Sequence, residues 1–405
     1  MLSKGQLLTW QSLLRIAIFL VAGPLVAAAG SCDHSAQDDP LCRASSVREE
    51  RSLVQVFRKK DKINVTLNTD EGLGELFRTS PFLMSHDSAT GFMGVDDLRD
   101  ISAQAQFTGF TQQLDCGVRA IDIRTVVNQV DIFDHLSTIQ FFHGSIVEHG
   151  LFVGWVSDQT VKSSMPEITA WARTHPDELV VLVLSHCYKR RNFLPFWEGM
   201  SCTDDSMVLA FADQGIKAQM DCNTLNSWTL YQAKAYATMD GGGGKVLLIP
   251  GEGYCVDAGF DSSVTEAELV QPYLEKRKGQ AASMGRPYQT QALIQQNSIA
   301  VPVLAHLNEQ VSTWSQQYPQ GLFQGVNFLE VNMACSYGTS ISENIGAKVS
   351  DDDRQKCKQH CKVAWEKHGA CRSTACILWK MSILVWYGME DLAFWSMAGI
   401  LRHAP

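Results

Sequence analysis

Basic residues are in short supply in this 405-residue chain. Its 34 lysines and arginines stand against 43 aspartates and glutamates, for a formal charge of −9. A general nucleic-acid binder needs a basic excess, so no nucleic-acid partner is expected, and an anionic ligand must find a local positive group rather than a global field. Charge of either sign is sparse at 19 %, beside 45 % hydrophobic residues, which excludes a disordered chain and leaves material for a core. No short-period repeat is present. Gly241-Gly242-Gly243-Gly244 lacks the Lys-Ser/Thr that follows a phosphate-cradling loop, so it reads as a plain loop ahead of a strand. Apolar runs of spanning length are missing too. Ile16 to Ala29 is shorter than the ~20 residues a bilayer crossing needs, and Lys380, Glu390 and Asp391 interrupt Ile377 to Leu401.

The first of these runs follows Lys4 and Arg15 and closes on Ala27-Ala28-Ala29. Residues 1–29 therefore read as a secretory signal peptide, and the protein is expected to be secreted. Losing that leader removes two cations and no acid, which makes the mature charge −11. The 12 cysteines all follow it, an even number, and in an oxidising compartment disulfides are the expected state. Four cluster late. Cys357-x3-Cys361 and Cys371-x4-Cys376 have the spacing of two helices stapled into a hairpin, with 357–376 and 361–371 as the expected pairing among three connectivities. A zinc site built from that cluster with His360 or His368 is the alternative. Asn64-Val65-Thr66 offers a glycosylation sequon.

Residues 30–79 form a short N-terminal extension, where Leu53 to Phe57 and Ile63 to Leu67 alternate as in a β-hairpin. Over 80–345 the pattern becomes strand, loop, helix. Strands are predicted at Phe82–Ser85, Val118–Ile123, Thr138–Phe142, Leu179–Leu184, Val246–Ile249 and Val326–Val331, and helices at Ser163–His175 and Val303–Trp314. Such alternation predicts a parallel sheet with crossover helices, and the length suits a closed barrel of roughly 250 residues. Residues 346–405 make a Cys-rich helical tail. Its segment 377–401, with Trp379, Trp386, Tyr387, Phe394 and Trp395, packs on the barrel or touches a membrane interface. The fold class is thus α/β: a distorted TIM (β/α) barrel with a short N-terminal extension and a disulfide-stapled helical tail.

Three segments place polar groups at the end of an apolar strand. They are Met84-Ser85-His86-Asp87-Ser88, Val118-Arg119-Ala120-Ile121-Asp122-Ile123-Arg124 and Phe141-Phe142-His143-Gly144. Catalytic groups of a β/α barrel collect at the C-terminal ends of its strands. Two histidines, one arginine and two aspartates at one mouth suit phosphoryl transfer. One imidazole takes a proton from an attacking hydroxyl and another returns one to the leaving oxygen, while the guanidinium neutralises the phosphate. His149-Gly150 is a second His-Gly pair, ranked below His143 because the predicted strand ends on His143.

In this order the segments resemble the X domain of the bacterial, metal-independent phosphatidylinositol-specific phospholipases C. Trp171 to Leu182 and Gly244 to Ile249 look like that family's approach to its fourth and fifth strands. The resemblance implies His86 as general base on the inositol 2-hydroxyl, His143 as general acid toward the diacylglycerol oxygen, Arg124 on the phosphate, and Asp87 and Asp122 in support. Calcium-dependent relatives carry a carboxylate where Arg124 stands, so no cofactor and no metal is expected. Where the family places an aspartate on a late strand to orient the first histidine, this chain offers Glu330 or Asn332, and Asn332 takes that place. Pro250-Gly251-Glu252 stands where bacterial members put a basic head-group contact, and His186 is a further candidate pocket residue. The expected substrate is a phosphoinositide lipid. The competing readings are a non-catalytic lipid or head-group binding barrel and a glycerophosphodiesterase-like enzyme. The metal-dependent enzymes of that second kind carry a Glu-x-Asp pair, which is missing around Asp122.

Overall fold

The computed structural model describes residues 74–93, 104–129, 137–146, 152–190, 197–251, 253–259, 261, 263–294 and 301–369. The leader, the proposed hairpin and sequon, His149, Cys371, Cys376 and segment 377–401 lie outside the described residues. Among the described residues no helix is long and apolar enough to cross a membrane.

In chain order the strands are β1 (Phe82–Ser85), β2 (Ala120–Gln129), β3 (Ser137–Ile146), β4 (Phe152–Thr160), β5 (Leu179–Arg190), β6 (Trp197–Gly199), β7 (Lys217–Ala218), β8 (Lys245–Pro250), β9 (Asp257–Ala258), β10 (Tyr288–Gln291) and β11 (Phe328–Val331). Eight of them run in the order β7-β8-β5-β2-β1-β11-β10-β9, every neighbouring pair parallel. Among the described residues no pairing joins β7 to β9. The fold is α/β, a distorted barrel open along that seam.

Period-two alternation sorts the strands' side chains into two sets. Phe82, Met84, Ala120, Val181, Val183, Leu247, Ile249 and Phe328 cluster together, with helices Cys222–Ser227 and Leu230–Tyr236 contributing Leu225 and Ala233. Leu83, Ile121, Val180, Leu182, Leu184, Leu248 and Leu329 form the other set. They pack on Met165, Ile168 and Trp171 of helix Val161–Thr174 and on Leu307 and Val311 of helix Val301–Ser315. Helix Val161–Thr174 starts at a reciprocal Thr160–Ser163 capping box and stops ahead of Pro176.

Strands buried on both faces read as continuous apolar runs, which is why β1, β5 and β8 were legible. Phe328 is fully buried, with Phe82 and Phe77 ring centroids 5.8 and 6.3 Å away. Phe328→Ala is expected to cost about 3–5 kcal/mol of stability, measured as a lower urea midpoint; a change within about 1 kcal/mol (about five-fold in the folding constant) would contradict this packing.

Two expectations need correction. The segment Thr138–Phe142 is no barrel strand. It lies in β3, which runs antiparallel to both β2 and β4, so this ribbon stands outside the parallel set. Alternation alone does not distinguish the two settings, because both have a period of two. The late cysteines also pair otherwise. Cys357 sits on helix Asp351–Gly369 and is bonded to Cys116, 241 residues away, rather than to Cys376. That bond ties the tail helix to the barrel and withdraws Cys357 from any zinc site, while His360 Nε2 lies 3.1 Å from Asp115 Oδ2. Cys187–Cys202 and Cys222–Cys255 are the other two bonds among the described residues.

Candidate active site

The alternation that fills the barrel with Ala120 and Phe328 carries polar groups upward on the same faces. Asp122 and Arg124 follow Ala120 at steps of two, Ser185 follows Val183, Glu330 follows Phe328, and His86 follows Met84. Register then aligns them. Asp122 is level with Val183, Arg124 with Ser185, and Glu330 with Gln291 and Met84. Polar residues thus replace apolar ones at the C-terminal ends of five parallel strands.

Asp87 is the hub. It is 2 % exposed and adopts a left-handed backbone at φ 44°, a conformation that costs a non-glycine residue energy and is often kept at functional sites. Its carboxylate meets three groups: Arg124 Nε at 2.6 Å, His143 Nε2 at 2.9 Å and His86 Nε2 at 3.2 Å. Burial alone would raise its pKa. Arg124, His143 and His86 overcome that and hold it well below the usual carboxylate range. Asp122 fixes this geometry, since its Oδ2 accepts the Asp87 backbone N–H at 3.0 Å and its Oδ1 accepts the Ser185 hydroxyl.

His86 has both ring nitrogens engaged. Nδ1 lies 2.8 Å from Asn332 Oδ1, and Nε2 lies 3.3 Å from Arg124 Nη2. A guanidinium only donates, so the neutral ring must present its lone pair at Nε2 and its proton at Nδ1, where the amide oxygen accepts it. When Nε2 gains a proton, the same nitrogen can donate to Asp87. Burial disfavours the charged ring, but Asp87 and Glu330 outweigh it, and the His86 pKa is raised. The site therefore supports both forms of one imidazole. His143 comes from the ribbon, its ring centroid 6.5 Å from that of His86, and its Nδ1 is buried with no hydrogen-bond partner among the described residues.

Asn332 stands on a turn held by Asn308, whose Nδ2 donates to the carbonyls of Asn332, Met333 and Ser336 at 2.8, 3.0 and 3.1 Å. Gln106 joins that turn to β1. Its Nε2 donates to His86 O and Val331 O, and its Oε1 accepts from Ala334 N–H. Glu330 is fully buried and accepts from Gln291 Nε2 at 2.8 Å. Burial, opposed by His86, pushes its pKa up to about 7.

His86, Asp122 and Glu330 offer ligand atoms within 4.8 Å of one another. Both His86 nitrogens already have partners, however, and a cation would have to share the space with the Arg124 guanidinium. The donor set suits proton transfer beside an anion.

The structure thus brings together His86, Asp87, Asp122, Arg124, His143, Glu330 and Asn332. His186 flanks this group, and desolvation of its ring and the Arg124 charge lower its pKa. It is the extra residue of a bulge in β5, at φ 49°, between Ser185 opposite Arg124 and Cys187 opposite Thr125, and it is exposed. Ser185, Gln106 and Asn308 were missed. Asn308 had a signal, a polar residue between the apolar Leu307 and Val311 of a predicted helix. Gln106 had none.

No protein-family model and no curated protein matches the chain. Solved structures to which it is similar include the phosphatidylinositol-specific phospholipase C of Staphylococcus aureus, at 12 % identity and a TM-score of 0.45 over 68 % of this chain and 94 % of that one. Another is the enzyme of the same name from Listeria monocytogenes, at 14 % identity and a TM-score of 0.41 over 67 % and 94 %. With likeness this distant, what the chain does has to be read from its own site.

Proposed function

We propose that the chain is a phosphoric diester hydrolase or lyase that works by paired-histidine acid/base catalysis without a metal. More particularly, it is a secreted enzyme of the phosphatidylinositol-specific phospholipase C type. It cleaves phosphatidylinositol or a related glycosylated phosphoinositide to diacylglycerol and a cyclic inositol phosphate. One observation carries this reading: two imidazoles and a guanidinium converge on a single buried carboxylate at the strand ends.

In the reaction, His86 Nε2 takes the proton of the inositol 2-hydroxyl, whose oxygen attacks phosphorus. Arg124 turns its forked donors to the phosphoryl oxygens. His143 protonates the diacylglycerol oxygen as its bond to phosphorus breaks, and a cyclic diester remains. Asp122 keeps Asp87 in place, and Asp87 accepts from whichever ring is protonated. His186, at the β5 bulge, is assigned to the head group in this reading.

Two assays test this reading. Diacylglycerol release from phosphatidylinositol vesicles is expected to persist in excess EDTA; loss of release that calcium restores would overturn the metal-free chemistry. Release is also expected to fall as pH rises through about 7, where Glu330 gains a charge that repels the phosphate. Glu330→Gln, neutral throughout, should lose that limb of the pH profile; an unchanged limb would assign it to another group.

A further inference from the structure

Two cysteines near the site remain unbonded among the described residues, Cys335 and Cys361. Their sulfurs lie 2.8 Å apart, well inside the ordinary contact of two unbonded sulfurs. We propose that Cys335 and Cys361 are joined in the mature protein by a fourth disulfide, and that this bond anchors the turn carrying Asn332.

The surroundings favour the bond. Cys335 is 5 % exposed and shares an apolar cluster with Cys116, Met333 and Cys357, against which Phe107, Cys361 and Trp365 pack. Cys361 follows Cys357 by four residues on helix Asp351–Gly369, so the two sulfurs leave one helix face a turn apart. The first bonds Cys116, which fixes the backbone beside the second pair. The pairing also leaves Cys32, Cys42, Cys371 and Cys376, an even remainder for a secreted chain. It replaces the expected 361–371 bridge.

Formation needs an oxidant, which in an oxidising compartment is a small disulfide such as oxidised glutathione. The hydrogen bond from Cys335 lowers the Cys361 pKa, whereas that contact and burial raise the pKa of Cys335. Cys361 is also half-buried where Cys335 is buried, so it is the sulfur that a small oxidant reaches and the attacking thiolate of this proposal. It bonds one sulfur of the oxidant and expels the other as a thiolate. Cys335 then gives up its proton, attacks Cys361 in the mixed disulfide and expels the second thiolate. Two protein thiols are oxidised and one disulfide is reduced.

The consequence falls on His86. Cys335 lies three residues beyond Asn332, in a turn with positive φ at Met333 and Tyr337. Asn308 and Gln106 hold that turn by hydrogen bonds alone, and the Cys361 bond would add a covalent tie to a helix that is itself stapled to the barrel.

Tryptic mapping tests the bond on full-length protein from an oxidising host, denatured and alkylated without reductant. Lys356, Lys358, Lys362 and Lys367 separate Cys357, Cys361 and Cys371 onto different peptides, and Cys335 is the lone cysteine of residues 279–348. The expected product is residues 279–348 linked to 359–362, with no alkylated Cys335 or Cys361. Alkylation of both, or a link from Cys361 to Cys371, would overturn the proposal. Amide exchange tests the anchoring. In Cys335→Ala/Cys361→Ala, with Cys116–Cys357 intact, protection at Met333, Ala334 and Ser336 should drop by roughly ten-fold or more. A mapped bond with unchanged protection would refute the anchoring role. Neither readout depends on the proposed activity.

Discussion

His86→Ala and His143→Ala are each expected to lower diacylglycerol release by about 10²–10⁴-fold, with little change in stability. The two should differ in how they fail. Without His86 no base stands at the attacking hydroxyl, so all substrates suffer alike. Without His143 the leaving oxygen departs unprotonated, which is severe for an alkoxide and mild for a nitrophenolate. A nitrophenyl phosphodiester of inositol should therefore rescue most of the His143→Ala defect and none of the His86→Ala defect. Rescue of both, or of neither, would mean that the two roles are assigned wrongly. Wild-type activity in both variants would dismiss the catalytic reading altogether and leave a lipid-binding barrel.

Asp87→Ala is expected to be the most damaging change for the fold at the site. It removes the nearer of two counter-charges from a guanidinium that is only 17 % exposed, leaving Asp122 Oδ2 at 3.4 Å, and the shared carboxylate of two imidazoles, and such a loss costs about 3 kcal/mol. The pH dependence gives a sharper check. The folded state holds the Asp87 pKa below its unfolded value of about 3.9, so the stabilisation is present above that value. It is lost as pH falls toward the folded value, because the unfolded chain takes up the proton first. Wild-type stability should thus fall steeply below about pH 4, and Asp87→Asn should show a shallower acid limb. Parallel limbs in guanidinium titrations at pH 3 and pH 6 would show that Asp87 is not tied to its cations as described.

Much of this site was legible because its chemistry sits on short, regular strands. Buried parallel strands announce themselves as apolar runs, and a polar residue at the end of one is conspicuous; Ser85-His86-Asp87 and Asp122-Ile123-Arg124 were found that way. β10 was illegible for the opposite reason. Its sequence Tyr288-Gln289-Thr290-Gln291 is fully buried yet polar, since it faces Glu330 and its neighbours. β7 and β9 are two residues each, too short to carry a period. The antiparallel course of β3 depends on a partner, β4, whose pairing no local pattern encodes. The Cys116–Cys357 bond joins residues too distant in sequence for spacing to reveal it. Asn332 was named from the sequence, and its Oδ1 lies 2.8 Å from His86 Nδ1. What holds Asn332 was not, because Asn308 and Gln106 act through backbone carbonyls and amides that carry no residue identity.

The antiparallel ribbon has a consequence for how such an enzyme can change. The parallel strands carry His86 and Arg124, whereas His143, the proposed acid, rides on a ribbon strand-paired to the barrel through β2 alone among the described residues. On the proposed roles, attack and departure are thereby housed on two differently paired parts of the sheet. If the proposed roles hold, remodelling the ribbon would retune which alcohol is released while the proposed head-group machinery on the parallel strands stays untouched, so leaving-group preference and head-group preference could change independently.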